Sequence, residues 1–203
     1  MKRKIFLCTL LLLAVVLSTG ASKQSDELKR MGIFISNFTE TTMYEFDINE
    51  LSDEELIRFG IGHNVINNPK STVKKCTRKN CQYGSSVMPK EAVAASVKKY
   101  FDLNVEHQSI LDDDDEGIYF DGKNYHFNPD DYGGGVIYYA EVQNVRRGKN
   151  NITMEGELYN TKNKKDRPGF FVAKAKPHKY NGKNTWAILS LSVEWNEDND
   201  YEE

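Results

Sequence analysis

The chain has 203 residues, of which 27 are basic and 30 acidic, and 39% of it is apolar. That length is enough for one domain with a core of its own, and the composition excludes both a low-complexity chain and the strongly basic surface of a nucleic-acid binder. Lys2, Arg3 and Lys4 precede an apolar run from Ile5 to Leu17, followed by Thr19-Gly20-Ala21 at a cleavage position. This is the pattern of an export signal over residues 1–21. The run falls short of the roughly 20 residues a membrane span needs. The expected product is therefore exported, periplasmic or extracellular, with no transmembrane segment. Losing three of the 27 basic residues leaves 24 against 30 acidic ones, a net charge of −6 for a mature chain starting near Ser22.

Ser25 is placed to cap a first helix whose apolar positions Leu28, Met31, Ile35 and Phe38 recur at helical spacing beside Phe34. A second helix is signalled by Ser52 and Glu55 as a capping box, with Leu51 and Leu56 as a hydrophobic staple, and it must end before Pro69. The polar stretch Lys70 to Ser86 reads as a long connecting loop. It holds Cys76 and Cys81, the two cysteines left once Cys8 departs with the signal. Outside the cytoplasm that pair is expected to close a small disulfide ring. By the chain-entropy model so short a ring contributes on the order of 2 kcal/mol. The alternatives are a redox pair, which would favour Cys-x-x-Cys spacing, and a metal site, for which two thiolates supply half the ligands with no histidine at ligand spacing. Pro89 opens a third helix, with Val93, Val97 and Tyr100 on one face and Ala94 and Phe101 alongside.

Beyond Ile110 the apolar period changes from helical to two. Asp121-Gly122 predicts a two-residue turn between Ile118–Phe120 and Asn124–Phe127. Four longer strands follow, at about 135–145, 151–159, 169–176 and 185–195, with short turns at Gly148 and Asn181-Gly182. Ile152, Met154, Gly156 and Leu158 alternate with Thr153, Glu155, Glu157 and Tyr159, and Ala187, Leu189, Leu191, Val193 and Trp195 form the apolar side of the last strand. The predicted fold class is α+β: N-terminal helices, about 25–105, packed on a C-terminal curved antiparallel β-meander, about 117–195. Together these make one domain over 22–195, with a disordered acidic tail at 196–203.

This order of elements resembles cystatin-like and NTF2-like architectures, an analogy of architecture alone. The segments Phe34-Ile35-Ser36-Asn37-Phe38-Thr39-Glu40 and Glu55-Leu56-Ile57-Arg58-Phe59-Gly60-Ile61-Gly62-His63-Asn64 are similar to ones in small exported bacterial proteins of unknown function. That resemblance covers about the first quarter of the mature chain and implies no catalytic residue.

No nucleophile elbow, zinc-protease helix, phosphate loop or dinucleotide fingerprint occurs. Asp112, Asp114 and Glu116 imitate the start of a calcium loop. Lys123 stands where the bidentate Glu belongs, so a solvated acidic loop is the stronger reading. His63 shares a stripe with Leu56, Phe59 and Ile66, and Gly60 and Gly62 would admit a close neighbour. A core histidine satisfied by one or two hydrogen bonds is favoured there over a catalytic one. His107, His126 and His178 read as loop or strand-edge residues without metal spacing. Tyr139, Glu141, Glu155, Glu157 and Tyr159 share one wet face of two neighbouring strands. They form an acidic patch with aromatic platforms for an unknown protein, peptide or carbohydrate partner, although strand pairing and solubility alone would explain the same residues. The favoured function is a secreted or periplasmic binding module that needs no cofactor. The alternative is a small-pocket enzyme of hydrolase or isomerase type using His63.

Overall fold

A computed structural model of the protein describes residues 24–79, 81, 83–111, 117–132 and 135–196. The first helix, α1 (24–39), runs without a break into a turn at Glu40, and Ser25 lies inside it rather than at its cap. Met31, Phe34, Ile35 and Phe38 are buried, as their spacing requires. After a two-residue strand, β1 (Phe46–Asp47), comes α2 (Asp53–Asn67), where the Ser52 side chain accepts from the Glu55 amide while the Glu55 carboxylate accepts from the Ser52 amide. The predicted capping box is thus complete, and the helix stops before Pro69.

The stretch expected to be a loop is partly ordered: Pro69–Thr72 is a short helix, α3, and Lys74–Lys75 a strand, β2. Strand β3 (Ser86–Pro89) leads directly into α4 (Lys90–Phe101). Then follow β4 (Tyr119–Phe120), β5 (Asn124–Phe127), β6 (Tyr138–Arg147), β7 (Ile152–Asn160), β8 (Gly169–Tyr180) and β9 (Lys183–Trp195). The α+β class holds, but the strands form two antiparallel sheets where a single meander was expected. The larger has the order β1-β9-β8-β7-β6 and the smaller β2-β3-β5-β4. The hairpin at Asp121 belongs to the small sheet, with Phe120 opposite Tyr125. Its turn centres on Gly122-Lys123, one residue later than predicted, because Asp121 Oδ1 accepts the amides of Lys123 and Asn124 and closes the turn itself.

Two β-bulges bend the larger sheet. At one, Lys174 pairs with Ser190 and Ala175 with Ile188, leaving Leu189 as the extra residue. The predicted alternation therefore holds for Leu191, Val193 and Trp195 downstream of the bulge, while upstream Trp186 and Ile188 face the larger sheet's core and Ala187 is buried as well. At the other, Gln143 is extra between Val142 and Asn144, opposite Gly156. A Cβ at Gly156 would lie 2.0 Å from the Glu141 carbonyl oxygen, so only glycine fits.

Two apolar clusters share α2 and α4. Leu56 and Phe59, with Val97, Tyr100 and Phe101, pack with α1 against the larger sheet. Ile57 and Ile61, with Val93, pack against Met88, Tyr125 and Phe127 of the smaller. Gly60 permits this, since a Cβ there would meet Val93 Cγ1 at 2.6 Å, whereas Gly62 faces the side chains of Tyr132 and Thr41. Among the described residues no helix is long and apolar enough to cross a membrane.

Candidate functional site

Three places hold the residues singled out above. His63 is 4% exposed and stacks on Phe59. Asn64 Nδ2 donates to Ser96 Oγ at 2.9 Å, and that hydroxyl lies 3.1 Å from His63 Nδ1. On the other side His63 Nε2 is 3.1 Å from Tyr100 Oη, which also accepts from Lys99 Nζ and donates to Asn37 Oδ1 at 2.9 Å. With the Tyr100 hydrogen committed to Asn37, the tyrosine must accept from His63, which places the histidine proton on Nε2 and leaves Nδ1 to accept from Ser96. One run of donors and acceptors thus ties α1, α2 and α4 together, with every ring nitrogen partnered. Burial, seconded by the Lys99 ammonium, lowers the His63 pKa to about 4. Burial, followed by the Glu40 charge, likewise raises the Tyr100 hydroxyl above its ordinary value. A neutral imidazole sealed among satisfied partners has no proton to trade near neutrality, and His63 lines neither of the two clefts at α1. The geometry is that of a core histidine.

The tyrosine face lies beside the larger of those clefts. In the pairing of β6 with β7, Tyr139 stands opposite Tyr159 and Glu141 opposite Glu157, and the two tyrosine rings meet edge to face at 6.0 Å. The acids are not free. Arg167 pairs with Glu141 at 2.6 Å and lies over the Tyr159 ring, Gln143 donates to Glu157, and Arg146 and Asn144 both bind Glu155. The expected acidic patch is therefore an aromatic face with its charges already paired. The cleft, about 720 Å³, runs between α1 and β6 and is lined by Ile33, Glu40, Asn67, Tyr139, Tyr159 and the chain at Val142 among others.

The first helix closes most of the free edge of β6. Ser36 Oγ accepts from the Ala140 amide, and Thr39 Oγ1 donates to the Tyr138 carbonyl. Gly32 sits so near that a Cβ would lie 2.6 Å from the Ala140 oxygen. Since Ala140 turns its amide toward α1 and away from β7, Val142, two residues on, turns its backbone the same way, into the cleft. Ile33 on the helix wall is 58% exposed. Glu40 accepts from Tyr139 and from Asn67 Nδ2, and burial with the Glu40 charge raises the Tyr139 pKa.

The third place was missed. Cys76 and Cys81 are half-buried free thiols, and His126, which the sequence suggested was at an edge, sits on β5 between β3 and β4 and is 2% exposed. The three converge, with their donor atoms within 4.8 Å of one another. The histidine lies 45 positions beyond Cys81, so no spacing rule pointed to it; the one signal was His126 following the Asp121 turn, whose carboxylate it meets at 3.0 Å. His107 Nδ1 is 2.6 Å from Tyr125 Oη, and His178 lies 3.8 Å from Asp102, so neither joins a cluster. The calcium candidates Asp112, Asp114 and Glu116, and the tail from 197 onward, lie outside the described residues.

No family model matches the chain, and neither a curated protein nor a solved structure matches it.

Proposed function

We propose that the protein is an exported binding module that takes a short extended peptide in the cleft between α1 and β6. The observation that carries this is a cleft of about 720 Å³ at the free edge of the larger sheet, lined by the chain at Val142, by Tyr139 and Tyr159 and by exposed Ile33. An edge strand offers main-chain hydrogen bonds to a second extended chain, and flanking apolar and aromatic surfaces receive its alternate side chains. Because Ser36 and Thr39 occupy the edge at Ala140 and Tyr138, only a few residues of a ligand have room to pair. The leader-like segment at residues 1–21 supports placing this activity outside the cytoplasm. A pocket enzyme built on His63 has less support, since both ring nitrogens are held inside the core.

The test is an amide-shift titration of the mature protein with a mixture of unstructured peptides, and separately with neutral oligosaccharides. Shifts at Ile33, Tyr139 and Val142 with the peptides, abolished in Tyr139→Ala with Tyr159→Ala, are expected. Saccharide binding at the same amides, or peptide shifts confined to other surfaces, would reject the peptide reading.

A further inference from the structure

We propose that Cys76, Cys81 and His126 form a zinc site, with Asp121 orienting the histidine. Cys76 Sγ lies 3.4 Å and Cys81 Sγ 3.5 Å from the same atom, His126 Nδ1. Zinc bonds of about 2.3 Å to sulfur and about 2.0 Å to imidazole nitrogen, set at a tetrahedral angle, place sulfur and nitrogen about 3.5 Å apart. Both sulfur–nitrogen separations therefore match an edge of a zinc tetrahedron, and the two sulfurs lie within 4.8 Å of each other. Two thiolates and an imidazole form a borderline-soft set that suits zinc over magnesium or calcium.

The surroundings fix the donor that zinc needs. His126 Nε2 donates to Asp121 Oδ2 at 3.0 Å, which leaves the lone pair on Nδ1, aimed at the sulfurs. Asp121 is itself immobilised, its Oδ1 by two backbone amides and its Oδ2 by Arg78 at 2.9 Å as well. The Cys76 amide donates to Ser85 O, which continues the β2–β3 ladder and carries the first sulfur to the β5 histidine. Tyr119 lies across from His126 and stacks on Tyr83, closing an aromatic wall beside the imidazole.

Two competing chemistries fit less well. A disulfide draws the sulfurs to about 2.0 Å and leaves a buried imidazole nitrogen aimed at a poor partner. A thiol nucleophile needs one sulfur for one base, whereas here two sulfurs share a single nitrogen almost equally. Among the described residues no fourth Cys, His, Asp or Glu joins the three. The fourth corner of the tetrahedron thus falls to water or to a ligand, the arrangement of an open zinc centre.

The experiment uses the full mature chain, reduced and stripped of metal without oxygen, titrated with cobalt(II) and then zinc(II). Expected are one equivalent of cobalt with thiolate charge-transfer absorption and intense tetrahedral ligand-field bands, proton release on binding, and bleaching of the bands by zinc. Cys76→Ser and His126→Ala should lose the tetrahedral bands while near-ultraviolet dichroism is kept; should His126→Ala misfold, His126→Cys serves instead and should restore the bands with stronger charge transfer. Asp121→Asn should keep the bands with affinity weakened about 10- to 100-fold. A weak octahedral cobalt spectrum in the parent protein, or bands indifferent to His126→Ala, overturns the proposal. So does protein recovered from the exporting cell two hydrogens lighter and free of zinc, which would establish the closed ring.

Discussion

At the scale of single residues, His63 makes the sharpest claim, because its network saturates every hydrogen-bonding atom it has. His63→Ala leaves a void, takes the acceptor from the Ser96 hydroxyl hydrogen and removes one of the three partners of Tyr100, and should cost roughly 1 to 3 kcal/mol in urea unfolding; His63→Gln keeps one of the bonds and should cost less. A pH dependence follows. The folded pKa of about 4 lies below the ordinary histidine value of 6.5, so the unfolded chain binds the extra proton first and stability falls as pH drops from 6.5 to 4. A gap of that size corresponds to about 3 kcal/mol at most. The matching component of the slope should vanish in His63→Gln, and an unchanged slope in that variant would show that other groups govern the acid limb. The residue pattern gave the burial of His63 correctly, since it falls on the stripe of Leu56 and Phe59. Its partners Ser96 and Tyr100 sit on a different helix, and no local period could name them.

At the scale of elements, the small sheet depends on one backbone position that carries no sequence signature. Gly84 has φ of +114°, and a Cβ there would stand 2.1 Å from the Phe127 carbonyl carbon. Both strain and collision oppose any side chain, so Gly84→Ala should lose about 2 to 4 kcal/mol, read by urea unfolding. The loss should appear first in hydrogen exchange of β3 and β5; an alanine variant as stable as the parent would mean that the Ser85-Gly84 corner can shift freely. Elements with strong local signals came through from the sequence: the Ser52–Glu55 box fixed the start of α2, and Asn181-Gly182, both at positive φ, form the tight turn that joins β8 to β9. Elements whose geometry is set by a neighbour did not. The break in alternation at Leu189 arises because Ala175 and Lys174 on β8 pair around it, and alternation read along β9 alone cannot register a bulge. Likewise β2, two lysines long, exists because β3 lies beside it.

At the scale of the whole molecule, the two sheets share a wall. Helix α2 turns Leu56 and Phe59 toward one cluster and Ile57 and Ile61 toward the other, and α4 does the same with Val97 and Val93. Neither sheet can lose its cover without stripping the other, so a single cooperative urea transition is expected. Tryptophan fluorescence, which reports Trp186 and Trp195 on β9, should coincide with amide signals from β5; separate midpoints would divide the molecule into two units. By itself the sequence determined the α+β class, the three long helices with their faces, the four long strands and the tyrosine face of β6 and β7, because each of these is written in a local period or a cap. Tertiary structure alone decided that there are two sheets, that arginines neutralise the tyrosine face, and that His126 stands against Cys76 and Cys81. Those outcomes depend on atoms brought together from positions tens of residues apart, and a period or a spacing rule reports only what is near along the chain.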